Sequence, residues 1–519
     1  MREVVTLQFG QQANYLGTHY WNTQESYFTY PGEEESPVDH DVSFRPGMGA
    51  DGSETYTPRT VIYDLKGAFG TLRRENALYQ LQQQENPSQQ GQWSGRTIPL
   101  QLSPIAPSSY QQALDQGLEP PVLTNETVRF WSDYNHVFYH PRSIVQLNEY
   151  ELNSSLMPFE RFQTGEELFA NLDREHDLLD RDLRPFLEEC DQLQGIQIFS
   201  STDDAWGGFT SRYLERISDE LGKGCRWVFG LQHTQRTSRE RQALQMSNVA
   251  QSIYGIDQSA SMHIPLASLP SSLPSYAVID GTSKWNTSAL QAAAAESMTL
   301  PTRLRSAQGA RATFDDLEST LNGDGMRRIA ACALSVQDAA QLEDDAQTNG
   351  HSDDRITNGY HVEDEVEDKE PEGDIDLFPE LTTQSVRGQQ RRRTHLFSKM
   401  QSLRGPWKTT TELEESDARL HDRFSASRAR TSRHQSALLF PVLSSYPKIF
   451  QLQSNPHKLA INATLSTSTA IADRIRSIVG VARRMVGIDE REALCDGLTT
   501  MAEEYEEGWD SDDASDDGD

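Results

Sequence analysis

Cysteine is scarce in this 519-residue chain, and its spacing excludes two common kinds of structural site. The four cysteines lie far apart, form no CxxC pair and have no histidine cluster beside them. They are Cys190, Cys225, Cys332 and Cys495. Neither a metal site nor a disulfide framework is therefore expected, and this cysteine content fits a reducing compartment.

Basic residues are also few relative to acidic residues. The chain has 47 lysines and arginines against 78 aspartates and glutamates, which gives a formal net charge of -31 at pH 7. Such an excess of negative charge opposes non-specific attraction to nucleic acid phosphates or to an anionic membrane surface. We therefore expect no direct nucleic acid partner.

Long apolar runs are missing as well. No run of about 18 apolar residues, the length needed to cross a bilayer, occurs in the chain. The sequence predicts no transmembrane segment and allows at most a peripheral association with a membrane. Hydrophobic residues make up only 36% of the chain, so two folded domains with appended solvated segments are expected at this length.

Short apolar segments typical of β-strands alternate with longer segments typical of helices. The predicted strands are VVTLQF (4–9), TVIYDL (60–65), GIQIF (195–199), RWVFGL (226–231) and SYAVID (275–280). The predicted helices cover residues 164–190, 208–224 and 471–487. This alternation predicts an α/β fold with a Rossmann-like, mostly parallel sheet, in which ligands bind at the carboxyl ends of the strands.

Composition shifts divide the rest of the chain. Residues 341–380 are acidic and too poor in apolar groups to order themselves, and arginines follow, beginning with RGQQRRR (387–393). Two interpretations stay open: a solvated insert whose halves attract each other, or a basic arm for anionic lipid or nucleic acid. The expected order is an α/β domain (1–310) with a Gln-, Ser- and Pro-rich surface excursion (80–121), a helical connector (311–340), a charged insert (341–435), a C-terminal α+β and helical domain (436–502) and an acidic disordered tail (503–519).

The first predicted strand ends at Gly10, and a polar turn and a helix follow. Such a junction presents backbone N–H groups and a helix dipole to an anion. The segment resembles the amino terminus of tubulins, MREIV..Q.GQ.GNQIG...W. It matches that pattern at Met1, Arg2, Glu3, Val5, Gln8, Gly10, Gln11, Asn14, Gly17 and Trp21.

Three further segments resemble tubulins in the same order. YTPRTVIYDLKGAFGTLR (56–73) is similar to VPRAVLVDLEPG, and LQGIQIFSSTDDAWGGFTSRYLERISDEL (193–221) resembles LQGFQL....GGGTGSG and its helix. GIDEREALCDGLTTMAEEYEEGWD (487–510) looks like the GMDEMEF...L..EYQQY helix, and an acidic tail follows in both. The resemblance implies a tubulin-like fold: a nucleotide-binding-type domain, a second α+β domain and C-terminal helices.

The glycine-rich phosphate loop of tubulins is altered in this chain. The aligned stretch begins with Asp203, Asp204, Ala205 and Trp206, and only Gly207 coincides with a glycine of the pattern. Two carboxylates there would face an anionic ligand, and like charges at about 4 Å cost about 1 kcal/mol in water and several times more when partly buried. A polymerising GTPase is therefore not expected, and no catalytic residue is assigned.

GTP with magnesium is an alternative ligand that the resemblance implies. The residues that would hold it are Gly10, Gln11, Asn14, Asp64, Lys66, Arg142, Gly207 and Gly208. Lys66 stands where tubulins have an acidic residue. It could pair with phosphate, or with Asp203 or Asp204, and the second pairing would fill the pocket with a salt bridge.

His136 and His140 lie four residues apart within WSDYNHVFYHPRS (131–143), a spacing that raises the question of a metal site. Asn135 and Pro141 argue against one helical face, and no third ligand stands at motif spacing. A packed aromatic loop with structural hydrogen bonds is the preferred interpretation.

This segment, together with the opening turn, DDAWGGF (203–209), WNTSALQAAAAESMTLPTR (285–303) and the ending AEEYEEGWDSD, resembles the Misato family. Misato proteins are tubulin-like and are implicated in mitochondrial distribution and, in fungi, in mitochondrial DNA inheritance. The resemblance implies a place in the cytoplasm and at the outer surface of the mitochondrion. The implied partners are cytosolic or mitochondrial-surface proteins, with tubulin-related proteins as one candidate class.

Three functions follow from these observations. The first is a non-catalytic tubulin-like scaffold for the organisation and inheritance of mitochondria. The second is a GTP-binding switch or slow GTPase that uses the retained opening turn. The third is an assembly chaperone for tubulin or a related complex, for which the acidic tail would suit a basic partner.

Overall fold

The structure of the chain is a computed structural model. The described residues are 2–29, 34–48, 52, 54–72, 105–235, 237–305, 311–339, 373–379, 394–407, 429–452 and 456–506. The predictions for the acidic tail beyond residue 506 and for RGQQRRR (387–393) lie outside these residues.

Six parallel strands form the first sheet, in the order β5-β4-β1-β6-β7-β8. Their bounds are β1 Glu3–Phe9, β4 Thr60–Lys66, β5 Ile144–Glu151, β6 Leu193–Ser201, β7 Cys225–Gln232 and β8 Met262–Ala267. A separate antiparallel pair consists of β2 Phe44–Met48 and β3 Glu54–Pro58. β1 is buried along its whole length, as expected of a central parallel strand with helices on both faces.

Helices cover both faces of this sheet. Their bounds are α1 Gln11–Glu25, α2 Ser109–Asp115, α3 Phe162–His176, α4 Arg184–Glu188, α5 Ala205–Leu221, α6 Arg239–Ser259, α7 Lys284–Thr299 and α8 Phe314–Leu321. Apolar residues of α3 and α5 form the core on one face, and residues of α1, α7 and α8 contribute to the core on the other. The predicted α/β, tubulin-like fold class is confirmed.

A second, mixed sheet follows, in the order β10-β9-β14-β11-β12, with β13 paired to β14. Its strands are β9 Ala331–Asp338, β10 Ile375–Asp376, β11 Leu396–Arg404, β12 Arg430–Ser436, β13 Phe440–Pro441 and β14 Lys458–Ser468. Two C-terminal helices, α9 Thr469–Met485 and α10 Ile488–Glu504, pack against α6. The α+β character of this part and its C-terminal helices match the prediction.

Helix α7 lies between the two sheets. It packs against α1 and against strands β9, β11 and β14, and every residue from Trp285 to Thr299 is buried. A helix that is enclosed on all sides needs small side chains where neighbours approach closely, and the AAAA run at 292–295 supplies them. One helix therefore joins the cores of both sheets.

Several element predictions were wrong. Residues 275–280 form no strand and make only an isolated bridge between Ala277 and Phe450. The predicted helix 164–190 is broken at Asp177, which adopts a left-handed conformation with φ 46°. Strand β8 was missed because Pro265 interrupts its apolar run, yet β8 is an edge strand, where proline is tolerated.

The predicted domain boundaries also need correction. The helical connector at 311–340 contains α8 but also β9, a strand of the second sheet. The insert at 341–435 contains β10, β11 and most of β12, and Arg404 within it is fully buried. In the excursion at 80–121, α2 anchors Tyr110 in the core. The insert and the excursion were assigned to the surface because their local sequence is polar, although long-range contacts bury Arg404 in one and Tyr110 in the other.

Within the described ranges, the helices are too short or too polar to span a bilayer.

Candidate functional site

Parallel strands β4, β1 and β6 are neighbours, and their carboxyl ends bring three chain segments to one edge of the sheet. Gly10 follows β1, Asp64 lies near the end of β4, and Asp203 and Asp204 follow β6. A cavity of about 200 Å³ opens at this edge. The position agrees with the rule that ligands bind at the carboxyl ends of parallel strands.

Asp64 is the centre of a buried polar cluster. Its Oδ2 accepts hydrogen bonds from Nδ2 of Asn14 at 2.6 Å and from Nε2 of Gln11 at 2.8 Å. Its Oδ1 accepts one from the backbone N–H of Leu65 at 2.9 Å. Burial raises the pKa of Asp64 to about 6, although these hydrogen bonds oppose the shift. The structure thus brings three predicted site residues together, and they bond to one another.

Two more carboxylates stand at the start of α5. Asp204 is the N-cap of this helix and accepts a hydrogen bond from the N–H of Trp206 at 2.9 Å. Asp203 accepts hydrogen bonds from the hydroxyl of Ser201 at 3.2 Å and from the N–H of His233 at 2.8 Å. Burial, together with the neighbouring charge of Asp203, raises the pKa of Asp204 to about 7. Both carboxylates line the cavity.

Trp206 covers the opening turn. Gly10 has φ +85°, and a Cβ built on it would lie 2.4 Å from Nε1 of Trp206. The indole also contacts Phe159 and Phe209, with ring centroids 5.1 and 5.5 Å away, and is only 4% exposed. Its ring therefore occupies the space directly above the turn, where a phosphate group would have to approach the backbone.

Gly207 and Gly208 face neighbouring helices, which corrects their predicted place in a phosphate loop. A Cβ on Gly207 would lie 2.0 Å from Oγ of Ser252 on α6, and one on Gly208 would lie 2.0 Å from the carbonyl oxygen of Phe162 on α3. Neither glycine lines the cavity. Their small size lets three helices approach one another closely.

The two predicted cationic contacts are placed elsewhere. Lys66 is exposed at the end of β4 and lies outside the cavity lining. Arg142 precedes β5, whose first residue, Ile144, pairs with Ile62, so Arg142 lies toward the amino end of the parallel sheet. Both predictions rested on position along the chain, which does not specify the direction of a side chain at a strand end.

Lys284 is a cation of the cavity that sequence reasoning missed. It is the first residue of α7, and its ammonium faces Asp64, Asp203 and Asp204 across the cavity. The side chain is exposed to water, yet surrounding protein atoms desolvate the ammonium and lower its pKa, while the three carboxylates oppose that shift. No local motif signals this role, because α7 is far away in the sequence.

The two histidines have structural partners. Nε2 of His136 lies 2.7 Å from the hydroxyl of Tyr110, and Nδ1 of His140 accepts a hydrogen bond from the N–H of Arg142. Burial lowers the pKa of each to about 4. Across the described part of the chain, no group of three or more His, Cys, Asp or Glu side chains has an arrangement suited to a metal ion.

The residues present do not fit a nucleoside triphosphate. Three carboxylates, from Asp64, Asp203 and Asp204, would face its phosphates, and Trp206 covers the turn that should cradle them. The cavity, at about 200 Å³, is also smaller than the ~300–1,000 Å³ common for small-molecule sites.

Comparisons with known proteins identify the family. A tubulin domain matches residues 120–304, and the Misato Segment II tubulin-like domain matches residues 2–116. The chain is 47% identical to protein DML1 of Phaeosphaeria nodorum and 47% identical to protein dml-1 of Neurospora crassa, in both cases over the full length of both chains. It is 33% identical to protein dml1 of Schizosaccharomyces pombe, where the match covers 63% of this chain and 70% of the relative. The chain therefore belongs to the Misato family of divergent tubulin-like proteins.

Proposed function

We propose that the chain is a non-catalytic tubulin-like scaffold that supports the organisation of mitochondria and the inheritance of mitochondria and their DNA. The mitochondrial context comes from the resemblance to Misato proteins. The observation that carries the non-catalytic role is the indole of Trp206, which is packed over Gly10 at the turn where tubulin-like folds would hold phosphate. Its proposed partners are cytosolic or mitochondrial-surface proteins, with tubulin-related proteins as one candidate class, and its proposed membrane association is peripheral.

Electrostatics support the same proposal. Asp203 and Asp204 would stand against a phosphate chain, and each like-charge contact at about 4 Å costs about 1 kcal/mol in water and more in a partly buried site. The cavity lining carries two basic side chains, Arg241 and Lys284, against five carboxylates, so the cavity as a whole favours positive ligands. The carboxylates are those of Asp64, Glu151, Glu160, Asp203 and Asp204.

A GTP-binding switch is the alternative, and the retained Gln11, Asn14 and Asp64 are the observation that favours it. Their mutual hydrogen bonds give them a structural role in joining β4 to α1. This structural role explains the presence of the three residues without a bound nucleotide.

The test is equilibrium binding of a fluorescent GTP analogue with magnesium to the purified full chain. The comparison variant carries Asp203→Gly and Asp204→Gly, since glycine is also tolerated at an N-cap. A control carrying Glu215→Gln and Asp219→Asn removes two charges from the solvent-facing side of α5, at residues outside the cavity lining. We expect no binding by the wild type or the control. Micromolar or tighter binding by the wild type would contradict the scaffold proposal, and a gain of binding in the glycine variant would support it.

A second measurement addresses the cellular role. Depletion of the protein in its host should disturb the distribution of mitochondria and lower mitochondrial DNA content, and re-expression of the wild type should restore both. Normal mitochondria after full depletion would refute the mitochondrial part of the proposal.

A further inference from the structure

The cavity at the carboxyl edge of the first sheet has an excess of acceptors and negative charge. Asp64 and Asp203 are 0% and 4% exposed, and Asp204 is partly buried beside them. Protein N–H and O–H groups hold each carboxylate in place. In the described ranges, however, no ion pair within 4.0 Å joins any of the three to a basic side chain. The three carboxyl groups are thus held in position, and no basic side chain of the described ranges pairs with them within 4.0 Å.

Gln12 provides an independent sign that a donor is missing. This residue of α1 lines the cavity and is 4% exposed. Its Nε2 donates to Oε1 of Gln291 at 3.1 Å, whereas its own Oε1 has no partner among the described residues. A buried acceptor without a donor is costly, so a ligand that brings N–H groups would be stabilised here.

The cations of the cavity leave room for another. Arg241 pairs with Glu160 at the exposed rim, 3.8 Å away. Lys284 faces the three carboxylates without forming an ion pair within 4.0 Å to any of them in the described part of the chain. Glu151 also lines the cavity, so one further positive group would bring two cations against four carboxylates, apart from the Arg241–Glu160 pair.

We propose that this cavity binds the guanidinium group of an arginine side chain from a partner protein. A guanidinium carries five N–H donors, no acceptor and a permanent charge, which matches carboxylates and an unpaired amide oxygen better than an ammonium does. The inference deepens the proposed scaffold role by naming the chemistry of its partner, and it rests on that role because nucleotide would compete for the same space.

A polypeptide is the favoured source of the arginine. One wall of the cavity comes from the loop 152–160, where Leu156 and Met157 are 92% and 54% exposed. Two exposed apolar side chains beside a charged cavity suit an arginine flanked by apolar residues, because they would bury the neighbours of the anchor.

The test is isothermal titration of the purified full chain with the peptide acetyl-Ala-Leu-Arg-Leu-Ala-amide. Matched peptides carry lysine or citrulline in place of arginine, and N-acetylarginine methylamide and spermidine serve as small cations. We expect the citrulline peptide to bind at least about tenfold more weakly than the arginine peptide, because citrulline is neutral. Equal affinity for the citrulline peptide and the arginine peptide would overturn the proposal. If spermidine binds as tightly as the arginine peptide, the ligand of the cavity is a free polyamine and the proposal of a partner protein is overturned.

Variants with opposite expected effects separate binding from folding. Asp203→Asn should lower the affinity for the arginine peptide at least about tenfold. Lys284→Gln should raise that affinity severalfold because it removes a competing cation. Asp219→Asn, on the helix that Asp204 caps but outside the cavity lining, should leave the affinity for the peptide unchanged. Weaker binding by the Lys284 variant, or unchanged binding by the Asp203 variant, would refute the assignment.

A further variant tests the role of the loop 152–160. The double variant Leu156→Ser, Met157→Ser should bind the arginine peptide more weakly and bind N-acetylarginine methylamide with unchanged affinity. An equal affinity of this variant for the peptide would refute the docking role of the loop. If the GTP analogue binds the wild type, both the scaffold proposal and the arginine site are refuted. If neither the GTP analogue nor the arginine ligands bind, only the arginine site is refuted.

Discussion

Single side chains change the character of the carboxyl edge of the first sheet. Trp206 covers the turn at Gly10, and Asp203 and Asp204 place charge where a tubulin-like phosphate loop has glycine. These residues could be identified from the sequence because they break a known pattern. Lys284 could not, since only the packing of α7 against α1 carries it to the cavity.

The raised pKa of Asp204 predicts a pH-dependent contribution to stability. The carboxyl group has an ordinary pKa near 3.8 and a pKa of about 7 in the folded chain. Between these values the folded state holds the proton more tightly than the unfolded state, so this group stabilises the fold at low pH and loses that effect as pH rises toward 7. Relative to Asp204→Asn, the wild type should lose about 2 kcal/mol of unfolding free energy between pH 5 and pH 8.

Urea denaturation at both pH values measures this difference. Histidines with lowered pKa, such as His136 and His140, give the opposite trend and cancel in the comparison of two variants. Asp219→Asn is the control and should follow the wild type. A constant difference between wild type and Asp204→Asn across the range would contradict the prediction.

Close approach of helices is the main feature at the scale of elements. A Cβ on Gly165 of α3 would lie 1.7 Å from the carbonyl oxygen of Ala205, and Gly207 and Gly208 make similar approaches from α5. Helices α3, α5 and α6 therefore pack at glycine contacts. The glycines that look like remnants of a phosphate loop are explained by this packing.

Gly208→Ala tests the packing role. The new methyl group would meet the backbone of Phe162 at 2.0 Å, and backbone cannot move aside as a flexible side chain can. We expect a loss of about 1–3 kcal/mol in the free energy of unfolding. Gly224→Ala, where no atom lies within 4 Å, should change it by less than about 0.5 kcal/mol. Equal stability of the two variants in urea denaturation would remove the packing explanation.

Periodicity and glycine signals predicted some elements well and others poorly. Strands β1, β4, β6 and β7 were evident as apolar runs, and the helix predicted at 208–224 is α5, which ends at Leu221 with Gly222 as its cap at φ 59°. β5 and β12 were missed because edge strands carry exposed polar side chains. Local pattern cannot distinguish such strands from loops, because long-range pairing alone defines them.

At the scale of the whole molecule, a buried charge network joins the two sheets. Glu296 of α7 pairs with Arg404 of β11 and with Arg303, and these three side chains are at most 2% exposed. The hydroxyl of Tyr27, just beyond α1, accepts a hydrogen bond from Arg404 and donates one to Glu296. Arg404 lies in the segment predicted to be a charged insert, for which a solvated insert and a basic arm were both open. No local signal could have revealed its partner more than 100 residues away.

Glu296→Gln should therefore destabilise the whole molecule. Loss of one partner leaves two buried guanidinium groups without their carboxylate, and such changes cost about 3–5 kcal/mol. Glu220→Gln, which removes an exposed ion pair with Arg184, should cost less than about 1 kcal/mol. The measurement is the free energy of unfolding from urea denaturation, and a similar loss in both variants would contradict a special role for the buried network.

Helix α7 sets a fixed distance between two distant parts of the molecule. Lys284 at its first residue faces the cavity, and Glu296 near its last turn holds the inter-sheet network. Twelve residues of helix separate them, a rise of about 18 Å. A one-residue insertion between them would turn one end by about 100° relative to the other, so only one of the two contacts could keep its register. The number of residues between Lys284 and Glu296 is therefore constrained by the contacts at both ends of α7.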